Sequence, residues 1–191
     1  MKHVAKLCVL AAVLAVGAPT SARAEGYVSP WAGVQFGSNV DNGRGGFGVN
    51  AGGMGAGIIG GEVGFGFSPS FFGTKNDFGN NTVLDLMGNV IVGVPIGGTR
   101  GAGFRPYFTG GLGLIRTQID GGNVFNVASS GNHLGYNLGG GVMGFFSNHV
   151  GARGELRYLR TLNGDVINSN GLDLDLGGFH FWRVSGGVVI R

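Results

Sequence analysis

Between His149 and Leu162 the chain alternates. Val150, Ala152, Gly154, Leu156 and Tyr158 share one parity, and Gly151, Arg153, Glu155 and Arg157 share the other. Successive side chains of a strand point to opposite faces, so a strand here has one oily face and one charged face. A soluble sheet turns its polar face to bulk water. A closed barrel in a membrane turns the oily face to lipid and the charged face to a confined interior. Ala152, Leu156, Leu159 and Leu162 also fall near helical spacing, so this segment alone leaves strand and helix open.

The same alternation recurs along the chain. Val28, Pro30, Ala32, Val34 and Phe36 oppose Ser29 and Gln35, with Trp31 on the polar parity. Phe47, Val49 and Ala51 oppose Gly48, Asn50 and Gly52, and Ile59, Val63, Phe65 and Phe67 oppose Gly60, Glu62 and Gly64. Leu84, Leu86, Val90 and Val92 oppose Asp85, Met87 and Asn89. Phe108, Leu112 and Leu114 oppose Tyr107, Thr109, Gly111 and Gly113, and Leu134, Tyr136, Leu138, Val142 and Phe146 oppose Gly135, Asn137, Gly139 and Gly141. Trp182, Val184, Val188 and Ile190 oppose Arg183, Ser185 and Gly187.

Polar loops are expected at 38–46, 69–81, 118–132 and 163–177, and shorter turns at 53–57, 95–104 and 147–148. Eight strands with alternately long and short connections form a meander, and the helical alternative for 149–162 would break it. Each strand is near the ~9–11 residues that a tilted membrane strand needs. The predicted fold class is therefore all-β, an eight-stranded antiparallel up-and-down transmembrane β-barrel.

Residues 1–24 fall outside that pattern. Lys2 and Lys6 precede the apolar run Leu7–Gly17, and Ala22-Arg23-Ala24 is a small-x-small cleavage site. This reads as a secretory signal peptide, with the barrel domain at 25–191. Its run is too short to cross a bilayer as a helix, which needs ~20 apolar residues. The excess of 13 basic over 10 acidic residues sits in Lys2, Lys6 and Arg23, so no nucleic-acid partner is expected. The 43 glycines would suit a disordered chain, but 43% hydrophobic residues would not. Inside a narrow barrel, glycine leaves room for long inward side chains and relieves strand curvature.

The segments YVSPWAGVQFG, MGAGIIGGEVGFGFSPSFFG and FWRVSGGVVIR together resemble the small outer-membrane β-barrel proteins of the OmpA/OmpX type, the porin-like "outer membrane β-barrel domain" family. The resemblance spans 25–191. It implies an outer-membrane location, outer-membrane lipid as the surroundings and the barrel-assembly machinery as a partner during insertion. Such proteins usually end in an aromatic residue which that machinery reads. This chain ends Val189-Ile190-Arg191, which implies weaker recognition or a chain that continues past Arg191.

Other motifs dissolve on inspection. Gly55-Ala56-Gly57-Ile58-Ile59-Gly60 has the spacing of a dinucleotide loop, but a strand follows it where a helix is required. The acidic stretch Asn168–Asp175 lacks the first and last carboxylates of a calcium loop. His133, His149 and His180 are followed two residues on by Gly135, Gly151 and Trp182, never by serine. No catalytic set, cofactor or metal is expected, and the chain reads as a non-enzyme. Phe47, Phe65, Phe67, Phe108, Tyr136, Phe146, Tyr158 and Trp182 share the outward parity, as interfacial aromatic girdles do.

The inward parity gathers an interior charge network: Glu62, Asp85, Arg153, Glu155, Arg157 and Arg183. Glu155 is expected to meet Arg183 on the neighbouring strand, and Glu62 and Asp85 to reach Arg153 or Arg157 across the bore. This predicts a plugged, membrane-structural barrel, or one that meets an extracellular partner through loops 69–81, 118–132 and 163–177. The rival readings are a small-solute channel and, behind it, a lipid-modifying enzyme.

Overall fold

Where the sequence alternates, the chain runs extended. The structure, a computed structural model, describes residues 24–37, 40, 43–71, 80–97, 101–120, 128–162, 166–169, 172–175 and 179–191. Ten strands lie among them: β1 (Ala24–Phe36), β2 (Arg44–Gly55), β3 (Ile59–Pro69), β4 (Asn80–Gly93), β5 (Gly103–Asp120), β6 (Ala128–Phe145), β7 (Val150–Thr161), β8 (Val166–Ser169), β9 (Leu172–Asp175) and β10 (His180–Ile190). Eight close into a barrel in the order β1-β10-β7-β6-β5-β4-β3-β2. The expected signal segment lies outside the described residues but for Ala24, which opens β1.

Every neighbouring pair in the barrel is antiparallel, and β1 against β10 closes it, with Val34 opposite Val184 and Val28 opposite Ile190. Closure leaves no sheet edge within the membrane, so the backbone polar groups are satisfied without water. On the outer wall Val28, Val34, Phe47, Val63, Leu86, Val90, Phe108, Leu138 and Val184 are exposed. In water such a surface would aggregate; against acyl chains it is matched. In β7 each second residue from Gly151 to Thr161 is buried, as the alternation requires.

Several connections differ from the sequence reading. The turn expected at 53–57 is tighter: β2 runs to Gly55, and Ile58 N–H donates to the Gly55 carbonyl at 3.0 Å. Ala56 and Gly57 both have positive φ, 50° and 68°, the two-residue turn whose twist matches a hairpin. The dinucleotide-like glycines are thus a hairpin turn. Residues 118–132 are expected to be loop, yet β5 and β6 continue to Asp120 and Ala128, which pair with each other. Residues 163–177 contain the hairpin β8–β9, with Val166 opposite Asp175. The first is a largely polar ladder, which periodicity alone does not separate from a loop; the second is a hairpin of two four-residue strands, too short for a period to stand out. The turn expected at 147–148 occupies 146–149, because Phe146 N–H bonds the Val150 carbonyl and closes the hairpin there.

Candidate functional site: the barrel lumen

The inward side chains fill the bore in three layers. At the end with the short turns, Tyr27, Met54, Ile91, Tyr107, Met143, Phe145 and Val189 form an apolar layer. At the end with the long connections, Val83, Met87, Ile115, Leu159 and Phe181 pack with Phe71 and Phe179, which fold in from beyond the strands. The rings of Phe71 and Phe181 lie 4.9 Å apart, and those of Phe179 and Phe181 5.6 Å. Charges lie between these layers.

Four charged residues and two phenols make the central cluster. Arg153 bridges Glu62 through Nη1 and Glu155 through Nη2. Arg157 Nε donates to Glu155 Oε1 at 2.7 Å, and its Nη2 donates to Glu62 Oε1 at 3.1 Å. Tyr27 donates its hydroxyl proton to Glu62 at 2.7 Å, and Tyr107 donates to Glu155 at 2.8 Å. Arg153 Nε donates to the Tyr107 oxygen at 2.6 Å. All four charged side chains are buried. Desolvation costs several kcal/mol per ion, which only such multiple, charge-assisted bonds offset.

Asp85 and Arg183 form a separate pair. Arg183 Nη1 donates to Asp85 Oδ2 at 2.9 Å, and its guanidinium stacks 4.3 Å from the Trp31 ring centroid. The expected Glu155–Arg183 contact is therefore replaced. The register sets Ser185 opposite Glu155 and puts Arg183 directly opposite Arg157. Like charges facing each other repel, so Arg157 turns to Glu62 and Glu155 while Arg183 crosses to Asp85. Glu62 does meet both Arg153 and Arg157, as expected; Asp85 is taken by Arg183 instead of either.

Glycines shape this interior. A methyl group on Gly48 would run into the Phe65 carbonyl and lie 2.6 Å from the Trp31 ring. One on Gly66 would overlap the Asp85 carboxylate and lie 2.8 Å from Arg183 Nη1.

At the short-turn mouth, Glu25 binds Arg105 at 3.1 Å and Arg191 at 3.4 Å. Arg191 also donates to the carbonyls of Asn148 and Gly101, both at 2.9 Å, and lies 3.7 Å over the Phe145 ring. Sequence reasoning misses Glu25, Arg105 and the two phenols as members of the network, and it misses both apolar layers. The parity of Tyr27, Trp31, Arg105 and Tyr107 points inward and was the available signal. Among the histidines, His133 is buried in β6, His149 sits in the β6–β7 turn, and His180 faces outward beside Tyr158.

An apolar outer wall around a closed, side-chain-filled bore defines an integral membrane β-barrel of the small outer-membrane type. The chain belongs to the outer membrane protein beta-barrel domain family, whose sequence profile matches residues 8–181. Its location is the outer membrane. No curated protein matches the chain by sequence. Among solved structures it is similar to Neisserial surface protein A, with a TM-score of 0.65 at 18% identity over 88% of this chain and 98% of that one. It is also similar to the N-terminal β-barrel domain of Pseudomonas aeruginosa OprF, with a TM-score of 0.52 at 16% identity over 88% and 98%. A major outer membrane protein from Thermus thermophilus aligns with a TM-score of 0.51 at 18% identity over 87% and 99%. At these identities the likeness is one of fold.

Proposed function

We propose that this protein is a non-conducting, non-enzymatic barrel that stabilises the outer membrane and presents its long connections to external partners. The observation that carries this reading is the Glu62–Arg153–Glu155–Arg157 cluster held between two apolar layers. Eight-stranded barrels have an interior just wide enough for side chains to fill, whereas open porins use ~16–18 strands. Insertion would follow export by the signal segment and handling by the barrel-assembly machinery.

Reconstituted in planar bilayers, the purified protein should show almost no steady current. Arg153→Ala with Arg157→Ala should raise conductance by opening the middle layer. The channel reading has one observation in its favour: Arg157 Nη1 and Arg183 Nε are buried without a partner among the described residues. If those guanidiniums line an anion path, the parent conducts with anion selectivity and the double variant conducts less.

The outer surface supplies a second expected result. Protease added to intact cells should cut in 69–81, near Lys75, which lies outside the described residues. From sequence Arg160 is expected to be a second cut site beside the loop at 163–177, but it lies within β7 and is flanked by Tyr136 and His180 in the ladder. It should resist cleavage. Cutting at Arg100, in the connection expected at 95–104, would invert the orientation; Arg105 is buried within β5 and should resist from either side.

A further inference from the structure

One joint of the barrel is not zipped along its whole length. Where β1 meets β10 the ladder runs from Phe36 opposite Trp182 down to Trp31 opposite Gly187, and it resumes only at Val28 opposite Ile190. Ser29 and Pro30 are missing from it, although both pair with β2 on their other side, opposite Asn50 and Val49. The cause is Pro30. Its carbonyl faces β10, because a methyl group on Gly187 would run into it. Within a strand the N–H and carbonyl of one residue point the same way, so it is toward β10 that Pro30 lacks a donor. On β10, Gly186 and Gly187 lie directly above the break. Glycine inside a strand weakens it and permits a bend. A proline on one side and a glycine pair on the other make a hinge.

Below that hinge little backbone pairing crosses the joint. β10 ends at Ile190, whereas β1 continues through Tyr27, Gly26 and Glu25 to Ala24, paired there with β2 alone among the described residues. A side chain spans the stretch instead. The Arg191 backbone N–H donates to the His149 carbonyl at 2.9 Å. Its Nε and Nη2 hold the carbonyls of Asn148 and Gly101, in the β6–β7 and β4–β5 connections, and the guanidinium rests on the Phe145 ring. Nη1 then reaches across the joint to Glu25 Oε2, with the Arg191 side chain 7% exposed and that of Glu25 22%. Arg105 holds the same carboxylate oxygen from β5. Anchored on three sides, the planar guanidinium gives up little further freedom to bind Glu25.

We propose that Arg191 and Glu25 form an ionic clasp that keeps the short-turn end of the β1–β10 joint closed. Releasing it lets the joint part from Ile190 up to the hinge at Pro30 and Gly187, while the upper joint and the other ladders stay paired. The wall then has one place where it opens sideways without unfolding. Such a local opening draws on the least-paired part of a structure, and the stretch below Pro30 is that part of this joint.

Amide hydrogen exchange of the full barrel in lipid nanodiscs, read residue by residue by NMR, tests this. Val28 and Val34 lie an even number of residues from Pro30, so both direct their N–H groups across the joint, one below the hinge and one above it. In Arg191→Ala, exchange at Val28 and Ile190 should become at least several-fold faster, with Val34, Val184 and the β4–β5 ladder at parent rates. Glu25→Gln, which removes the charge on the β1 side, should have the same local effect. Pro30→Val supplies the missing donor, and adding it to Arg191→Ala should return Val28 and Ile190 towards parent rates. No acceleration at Val28 and Ile190, equal acceleration at Val34 and Val184 or in β4 and β5, or an acceleration that Pro30→Val leaves undiminished would each overturn the proposal.

Discussion

Arg157→Ala should lower the unfolding free energy by about 3–5 kcal/mol, the usual cost of leaving buried charge without its partner. Arg157 is 1% exposed and contacts both central carboxylates, Glu62 and Glu155. Its loss leaves two acids facing Arg153 alone. The measurement is urea unfolding of the refolded barrel in lipid vesicles, followed by gel mobility and Trp182 emission. A shift within ~0.5 kcal/mol, the ordinary range for a surface change, would show that the cluster is solvated and carries little of the stability. A companion variant separates charge from packing. Replacing Asp85 and Arg183 together by leucine and methionine removes both charges of an isolated pair. It should come out close to neutral, because well-packed apolar substitutes often match a buried ion pair. Asp85→Leu alone should not.

Gly48→Ala is the second large effect expected, and it comes from a single methyl group. The added carbon would meet the Phe65 carbonyl and the Trp31 ring, a backbone atom and a rigid side chain, neither of which can swing away. Overpacking of this kind costs about 1–3 kcal/mol. Trp31 is also the platform under Arg183, so its displacement disturbs the Asp85 pair as well. Gly154 is the control. Nothing lies within 4 Å of a methyl group placed there, so Gly154→Ala should be neutral or gain up to ~1 kcal/mol by restricting the unfolded chain. Equal unfolding midpoints for the two variants would contradict the close fit around Trp31.

The barrel was legible because its signal repeats: a two-residue period in eight segments fixes which residues face lipid, and β7 shows it without a break. The facing of Trp31 followed from the same parity, although an inward tryptophan runs against the rule that large apolar groups face lipid. The composition of the lumen was legible only in part. Parity assigned Met87 to the interior, but nothing in the sequence reading joined it with Ile115, Leu159, Phe71 and Phe179 in one layer. Phe71 and Phe179 lie outside the strands, where no period applies. The partner choice within the charge network was beyond the sequence for another reason. It depends on register, which sets Arg183 opposite Arg157, and on the width of the bore, which lets Asp85 reach across. Loops and paired polar ladders look alike in sequence, which hid the strand in 118–132, and in 163–177 the two strands are only four residues each.

The buried ion pairs also impose an order on folding. Glu62 and its partner Arg153 are 91 residues apart, and Asp85 and Arg183 are 98 apart. A chain laid into lipid one strand at a time would hold two naked carboxylates in hydrocarbon until β7 and β10 arrived. That intermediate is too costly to populate, so β3 and β4 must wait in a wet environment while the later strands are made. The joining of β1 to β10 and the neutralisation of the acids are then one late, cooperative event. Such long loop closures make folding slow. Refolding into vesicles should accordingly show secondary structure early and the heat-resistant gel form only at the end.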